Sequence, residues 1–327
     1  MDRRRFLATS LAGALAAPRA ARAQQTGSMH RIGFLSGSSF EGAKALVEEF
    51  HRGLRERGHV EGQSIHIEYR WAEGKSDRLP GLVAELISLK VELIVAAASP
   101  AARAAYQATR AIPIVIVGVG NPVQLGLAAS LARPGGTVTG LTSYGPDLTA
   151  KQLELLMQAI PEMKRLAVLW TPANALHAGA LRQLEQLTQS RRVQMQPLKI
   201  VGPEDFQDAF RSAAVRGATA VWVVGDPMFL LHPAELAKFA MEFRLPTSFF
   251  GRAHVEAGGL MAYGPDSRHM YRQAATYVDK IRKGAKPAEL PIEEPTKFEL
   301  VINAKTAKAL GLTIPPSLLL RANQLIE

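Results

Sequence analysis

Three short turns hold the groups most able to do chemistry: Ser36-Gly37-Ser38-Ser39, Ala97-Ala98-Ser99-Pro100 and Gly225-Asp226-Pro227. Each follows an apolar, β-rich run and precedes an amphipathic one, which puts it on a strand-to-helix turn. The first turn of a helix has unpaired backbone N–H groups and a favourable dipole. Ser36, Ser38, Ser39 and Ser99, with the backbone at Ala98, are therefore suited to holding an anion. Pro100 would fit a first helical position. The plainer alternative is that these serines only cap their helices. Asp226, at the end of a buried strand, could accept from an ammonium group in a partly desolvated cleft. Such a bond is worth about 1.5–3 kcal/mol, or one to two decades of preference over a ligand lacking the group. Its own plain alternative is a cap or turn residue. Asn121, Asn174, Phe250, Gly251 and Tyr263 also fall near strand ends or crossings and are candidate ligand-lining positions. Trp71, Trp170 and Trp222 lie within strands and are expected to pack in the core, and an aromatic content of 6% argues against an aromatic-rich cage.

Signatures of catalysis are weak. Gly118-Val119-Gly120-Asn121-Pro122-Val123 begins like a dinucleotide-binding fingerprint, but it lacks the third glycine, follows a late strand and puts Pro122 in the turn. No lysine-bearing phosphate loop, His-Glu-x-x-His pair or Gly-x-Ser-x-Gly elbow occurs. The 8 histidines are scattered over segments that read as surface helices and loops. No catalytic residue, metal or cofactor is expected, so the chain reads as a binder and not an enzyme.

The elements that must position these groups alternate short apolar runs with amphipathic segments, the pattern of parallel strands joined by crossover helices. Strands are expected at 31–35, 64–71, 93–97 and 114–117, with helices at 41–57, 79–89 and 101–109. A second set follows, with helices at 149–160, 178–190, 204–214 and 233–243 and strands at 165–170, 194–198, 220–224 and 247–250. Residues 137–144 and 258–264 read as β-like connections between the two sets. A helix at 270–283 returns to the first lobe, and a tail holds a strand at 298–302 and a helix at 305–310. The expected fold class is α/β: two Rossmann-like lobes with parallel sheets joined by a three-segment hinge. Ligands of such folds bind in the crevice at the carboxyl ends of the strands.

Residues 1–23 read as an export signal and not as part of the fold. Arg3-Arg4-Arg5 leads into an apolar stretch at 6–17, and Ala21-Arg22-Ala23 offers a small-residue cleavage site after Ala23. Arg3-Arg4-Arg5-Phe6-Leu7 also fits the twin-arginine pattern, with the general secretory route as the alternative. The apolar stretch is too short to span a bilayer, which takes about 20 residues. No later stretch is long and charge-free enough either, so no stable membrane insertion is expected. With Cys 0, there is neither a disulfide nor a lipid-bearing cysteine to anchor an exported chain, which points to a periplasm. The formal charge of +10 includes the signal's five arginines and Asp2. What remains is spread without a dense basic run, so no nucleic acid partner is expected.

Several segments carry a resemblance: residues 68–74 (EYRWAEG), 130–136 (SLARPGG), 258–264 (GGLMAYG) and 295–303 (PTKFELVIN) running into 306–312 (TAKALGL). With these the chain resembles the ABC transporter substrate-binding family whose members include tryptophan- and tyrosine-binding proteins. Many of those relatives read Asp-Pro where this chain has Asn121-Pro122. The resemblance implies a type I periplasmic-binding-protein fold in which hydroxyls and backbone N–H groups at strand-to-helix turns hold a ligand carboxylate. It further implies a monomeric extracytoplasmic solute-binding protein of an ABC importer that closes over a small ligand, an amino acid with aromatic ones favoured. ABC permease and ATPase subunits would be its partners. The lobes would comprise residues 30–142 with about 265–290, and 143–264 with about 291–327. An exported sensory ligand-binding protein and an exported α/β enzyme are the alternatives.

Overall fold

The computed structural model describes residues 29–145 and 147–327, so the expected export signal lies outside the described residues. In chain order the first unit runs β1 (His30–Ser36), α1 (Phe40–Arg55), β2 (Ile65–Trp71), α2 (Leu79–Ser88), β3 (Leu93–Ala97), α3 (Ala98–Ala108), β4 (Ile114–Val119) and β5 (Val138–Thr142). The second begins α4 (Leu148–Ala159), β6 (Arg165–Trp170), α5 (His177–Ser190), β7 (Gln194–Lys199), α6 (Phe206–Val215) and β8 (Ala220–Val223). It goes on through α7 (Pro227–Leu230), α8 (Pro233–Glu242), β9 (Thr247–Phe249), α9 (Arg252–Glu256) and β10 (Met261–Pro265). The chain then recrosses as α10 (Ser267–Arg282) and β11 (Ile292–Glu293), and ends in β12 (Phe298–Asn303), α11 (Ala304–Ala309), α12 (Pro316–Leu319) and β13 (Gln324–Ile326).

Two sheets result. One has six strands in the order β11-β5-β4-β3-β1-β2, and the other seven in the order β13-β12-β10-β9-β8-β6-β7. All pairs are parallel except β10 with β12. Alternating side chains of each strand feed the two faces. Leu93, Val95, Val115 and Val117 enter the core under α1 and α10, while Ile94, Ala96, Ile114 and Ile116 enter the one under α2 and α3. Continuous Val/Ile/Leu runs are what a strand covered on both faces requires. The second sheet is buried on both faces in the same way.

Strand order reverses between β1 and β3 in one sheet and between β6 and β8 in the other. The turns leaving those four strands carry Ser36 to Ser39, Ala98 and Ser99, Asn174, and Asp226, the switch points at which such sheets receive ligands.

Three differences from the sequence reading have physical causes. The runs at 137–144 and 258–264 are not free connections. Their cores are the sheet strands β5 and β10, and the crossings are the few residues after them. Ile292 pairs with Gly140, so β11 extends the first sheet past residue 290 and the last crossing falls at 294–297. Two crossings are tied together, since the Asp266 N–H donates to the Lys297 carbonyl at 2.9 Å. Finally, α3 begins at Ala98, so Pro100 stands third in the helix and not first.

Candidate functional site

A cavity of about 530 Å³ lies between the lobes. From the first lobe it receives Ala98 and Ser99 at the start of α3. Ala98 is held at φ +67°, a left-handed conformation that costs an alanine about 1–2 kcal/mol. Ser99 is 8% exposed, and its Oγ accepts the Gly120 N–H at 2.9 Å, joining the turn after β3 to the turn after β4. In β4 the register against β5 slips between Val117 and Val119. Gly118 between them takes φ +66°, a bulge that swings Gly120 and Asn121 to the cavity edge. Asn121 Oδ1 accepts from Gln124 N–H at 3.0 Å, which fixes the turn.

The second lobe supplies the charge. Asp226 is 7% exposed and caps α7, its Oδ1 accepting from Met228 N–H at 2.9 Å and its Oδ2 from Asn174 Nδ2 at 3.0 Å. The capping alternative is therefore real, yet it leaves lone pairs on both oxygens and the whole negative charge in place. Among the described residues no lysine or arginine pairs with it, and the one ionisable partner is His177, with Nε2 3.9 Å from Oδ2. Phe250 packs closely against the backbone before it, for a Cβ at Gly225 would stand 2.7 Å from Phe250 Cγ. Trp222, Phe250 and Tyr144 give the cavity aromatic surface, and Leu148, Leu176 and Leu230 aliphatic surface.

Of the sequence candidates, Ala98, Ser99, Asn121, Asn174, Asp226 and Phe250 border this one cavity. Ser36, Ser38 and Ser39 do not. Ser39 Oγ accepts from Gly42 N–H at 3.0 Å, the capping alternative, Ser36 Oγ accepts from Ser38 N–H at 3.1 Å within the turn, and Ser38 Oγ is buried without a hydrogen-bond partner. Their turn faces the other lobe instead, a Cβ at Gly37 standing 3.1 Å from Pro227. Gly251 caps α9 outside the cavity lining. Tyr263 borders a separate groove at the crossings, where it stacks on Phe298 with centroids 5.9 Å apart.

Trp222 packs in the second lobe's core as expected, and one side of it also reaches the cavity. One expectation is corrected: the histidines are not all superficial, since His59, His177 and His254 are buried. His177 borders the cavity and was invisible as a site residue, a single histidine at the start of a polar helix having no signature of its own. Burial pushes its imidazole below the ordinary range, and the charge of Asp226 works against that. Among the described residues no three His, Asp or Glu side chains group as a metal site, and no helix is long and apolar enough to cross a membrane.

The lobes also touch outside the cavity lining. Leu231 meets the backbone of the first lobe, Cβ atoms built on Gly74 and Gly42 lying 2.8 and 3.2 Å from it. The described form is therefore shut.

The family model for ABC transporter substrate binding proteins matches residues 32–326. A tyrosine-binding protein of Clostridioides difficile (strain R20291) is 26% identical over 263 residues, 80% of this chain and 75% of that protein. A conserved domain protein from Vibrio cholerae O1 biovar El Tor aligns at a TM-score of 0.85 with 24% identity, over 91% of this chain and 99% of that one. The ABC domain in complex with L-Trp from Streptococcus pneumoniae gives a TM-score of 0.85 and 24% identity, over 91% of this chain and 100% of that one. With a match running from β1 to β13 and two mainly parallel sheets of the type I periplasmic-binding-protein fold, the chain belongs to the ABC transporter substrate binding protein family.

Proposed function

We propose that this protein is the extracytoplasmic ligand-capturing component of an ABC importer, working in a periplasm and delivering an amino acid with a large apolar or aromatic side chain to a permease. The observation that carries the reading is the carboxylate of Asp226, 7% exposed on the cavity wall and paired, among the described residues, with no lysine or arginine. A buried charge without a counter-ion is costly, and a ligand ammonium supplies one. Across the cavity, Ser99 and the first N–H groups of the eleven-residue α3 suit the ligand carboxylate. The aromatic and aliphatic surfaces between these poles suit its side chain. The relatives that bind tyrosine and L-Trp lend support to the same ligand class.

The mechanism is conformational. The ammonium and carboxylate poles sit on different lobes, so a ligand bridging them makes its full set of contacts only in the shut form and shifts the population toward it. The shut pair of lobes is then the form presented to the permease, and opening at the membrane releases the ligand. Chemistry on the ligand has no part in this.

Native mass spectrometry of the purified protein, followed by a thermal-shift screen of the twenty amino acids and their deaminated analogues, tests the reading. At a hundred times its dissociation constant a specific ligand adds about 2.7 kcal/mol of stability. Aromatic amino acids should raise Tm most, and their deaminated analogues much less. Stabilisation by sugars or plain carboxylates alone, or turnover of a bound compound, would sink it.

A further inference from the structure

Behind the Asp226 wall lies a buried imidazole with no part in the scheme above. His177 opens α5 and is 2% exposed. Its Nδ1 is 3.1 Å from the Thr171 backbone nitrogen. A backbone N–H can only donate, so Nδ1 carries a lone pair and the proton of the neutral ring sits on Nε2. That Nε2–H points to the Gly225 carbonyl at 3.3 Å, one residue before Asp226. The ring thereby stitches the turn after β6 to the turn after β8. Those are the turns bearing Asn174 and Asp226, which bond to each other at 3.0 Å. The backbone adds a further tie, His177 N–H donating to the Asn174 carbonyl at 3.1 Å.

We infer that His177 is a positioning residue for ammonium recognition: as the neutral Nε2–H tautomer it holds the two turns together so that Asp226 keeps its charge for the ligand. Protonation would undo this twice. The added proton on Nδ1 removes the acceptor for Thr171 N–H, and the imidazolium, 3.9 Å from Asp226, competes with the ligand's ammonium for the same carboxylate. Among the described residues Asp226 is the charged group that acts on the ring. From α4, which packs beside α5, the residues lining the cavity are the uncharged Leu148, Thr149 and Gln152, and Arg182 on α5 itself is exposed to solvent. Burial lowers the ring's proton affinity, which keeps the neutral form in place at ordinary pH.

The inference rests on the ammonium reading of Asp226, and the experiment separates the two. Dissociation constants of the full-length protein for L-tryptophan, and for 3-indolepropionate, which lacks the ammonium, are measured from about pH 8 down to about pH 5, across the imidazole range. The affinity for L-tryptophan should fall progressively toward the acid end of that range, where the buried ring begins to take up its proton, complete loss of the contact being worth about tenfold (about 1.4 kcal/mol), while 3-indolepropionate changes far less. His177→Ala should lose about tenfold for L-tryptophan at pH 8, and His177→Asn, whose Oδ1 can replace Nδ1 as acceptor, should recover most of that loss. Both variants should show a flattened pH profile. If L-tryptophan binds but the wild-type profile is flat, or survives in His177→Asn, the inference fails and the ammonium reading stands. If neither L-tryptophan nor L-tyrosine binds at any pH, both fall. Imidazole nitrogen shifts of the ligand-free protein give a further check, since a protonated Nδ1 at neutral pH would overturn the assignment whatever binds.

Discussion

Gly120, in the loop after β4 of the first lobe, lies so close to Leu176, in the turn before α5 of the second, that a Cβ at position 120 would clash with Leu176 Cδ1. The contact joins the two lobes at one lip of the cavity and exists only while they are shut. Gly120 has no left-handed φ, so an alanine would fit its backbone in the open protein. Gly120→Ala should therefore weaken ligand binding about two- to tenfold, since Leu176 Cδ1 is the end of a flexible side chain that can shift at a cost of about 0.5–1.5 kcal/mol, charged to the shut form alone. The ligand-free Tm should barely move. Titration calorimetry paired with thermal denaturation checks this, and a large loss of ligand-free stability would show that the clash lies inside one lobe.

Asp226 serves two purposes, and one substitution separates them. Asparagine is as good an N-cap as aspartate, so Asp226→Asn keeps the start of α7 while removing the charge and, because its NH2 would face a second donor, the bond from Asn174 Nδ2. Binding of an aromatic amino acid should fall by one to two decades, for a lost charge-assisted bond of about 1.5–3 kcal/mol. The deaminated analogue should bind the variant nearly as well as the wild type. Equal loss for both ligands would take the carboxylate out of ammonium recognition.

Acid should destabilise this fold through its buried histidines. His254 is buried, stacked on Phe249 with centroids 4.6 Å apart, and its Nε2 lies 3.0 Å from the Phe229 carbonyl. Burial depresses its proton affinity, as it does that of His177. A base whose folded-state pKa is depressed adds stability above its unfolded value, and that stability is lost as pH falls toward the folded one. The unfolded chain takes up protons near about pH 6.5, where the native protein still refuses them. Urea midpoints should therefore decline steadily as pH is lowered through and below that point. A midpoint that holds or rises between about pH 7 and pH 5 would contradict the sign.

Much of the scaffold was legible because burial on both faces writes strands as unbroken apolar runs, as in Leu93–Ala97 and Ala220–Val223. The site was half legible for a related reason. Ser99, Asn174 and Asp226 end such runs, and the end of a parallel strand is where a crevice forms. Position along the sheet was not legible. Ser36 to Ser39 and Ala98 to Ser99 look alike as strings, and the shutting of the lobes sends one turn against Pro227 and leaves the other on the cavity. His177 and the pairing of Gly120 with Leu176 depend on contacts between distant turns and on closure, which no local pattern records.

Gly53 tests the core of the first lobe. It lies in α1, where a glycine costs about 1 kcal/mol relative to alanine, so helix propensity alone would make Gly53→Ala stabilising. Packing opposes this. A Cβ at 53 would clash with the Arg272 carbonyl of α10 and stand 2.9 Å from Ala275 Cβ. A backbone carbonyl cannot rotate aside, so the helices must part, and the cost falls on Phe50, Leu54, Ala274 and Ala275, which share one core. With overpacking at about 1–3 kcal/mol against a propensity gain of about 1 kcal/mol, a net loss is expected. The urea midpoint of Gly53→Ala should drop, with ligand affinity little changed because both poles of the site lie on other elements. A higher midpoint would mean that α1 and α10 do not approach as closely as described, and the return of α10 to the first lobe would then need another explanation.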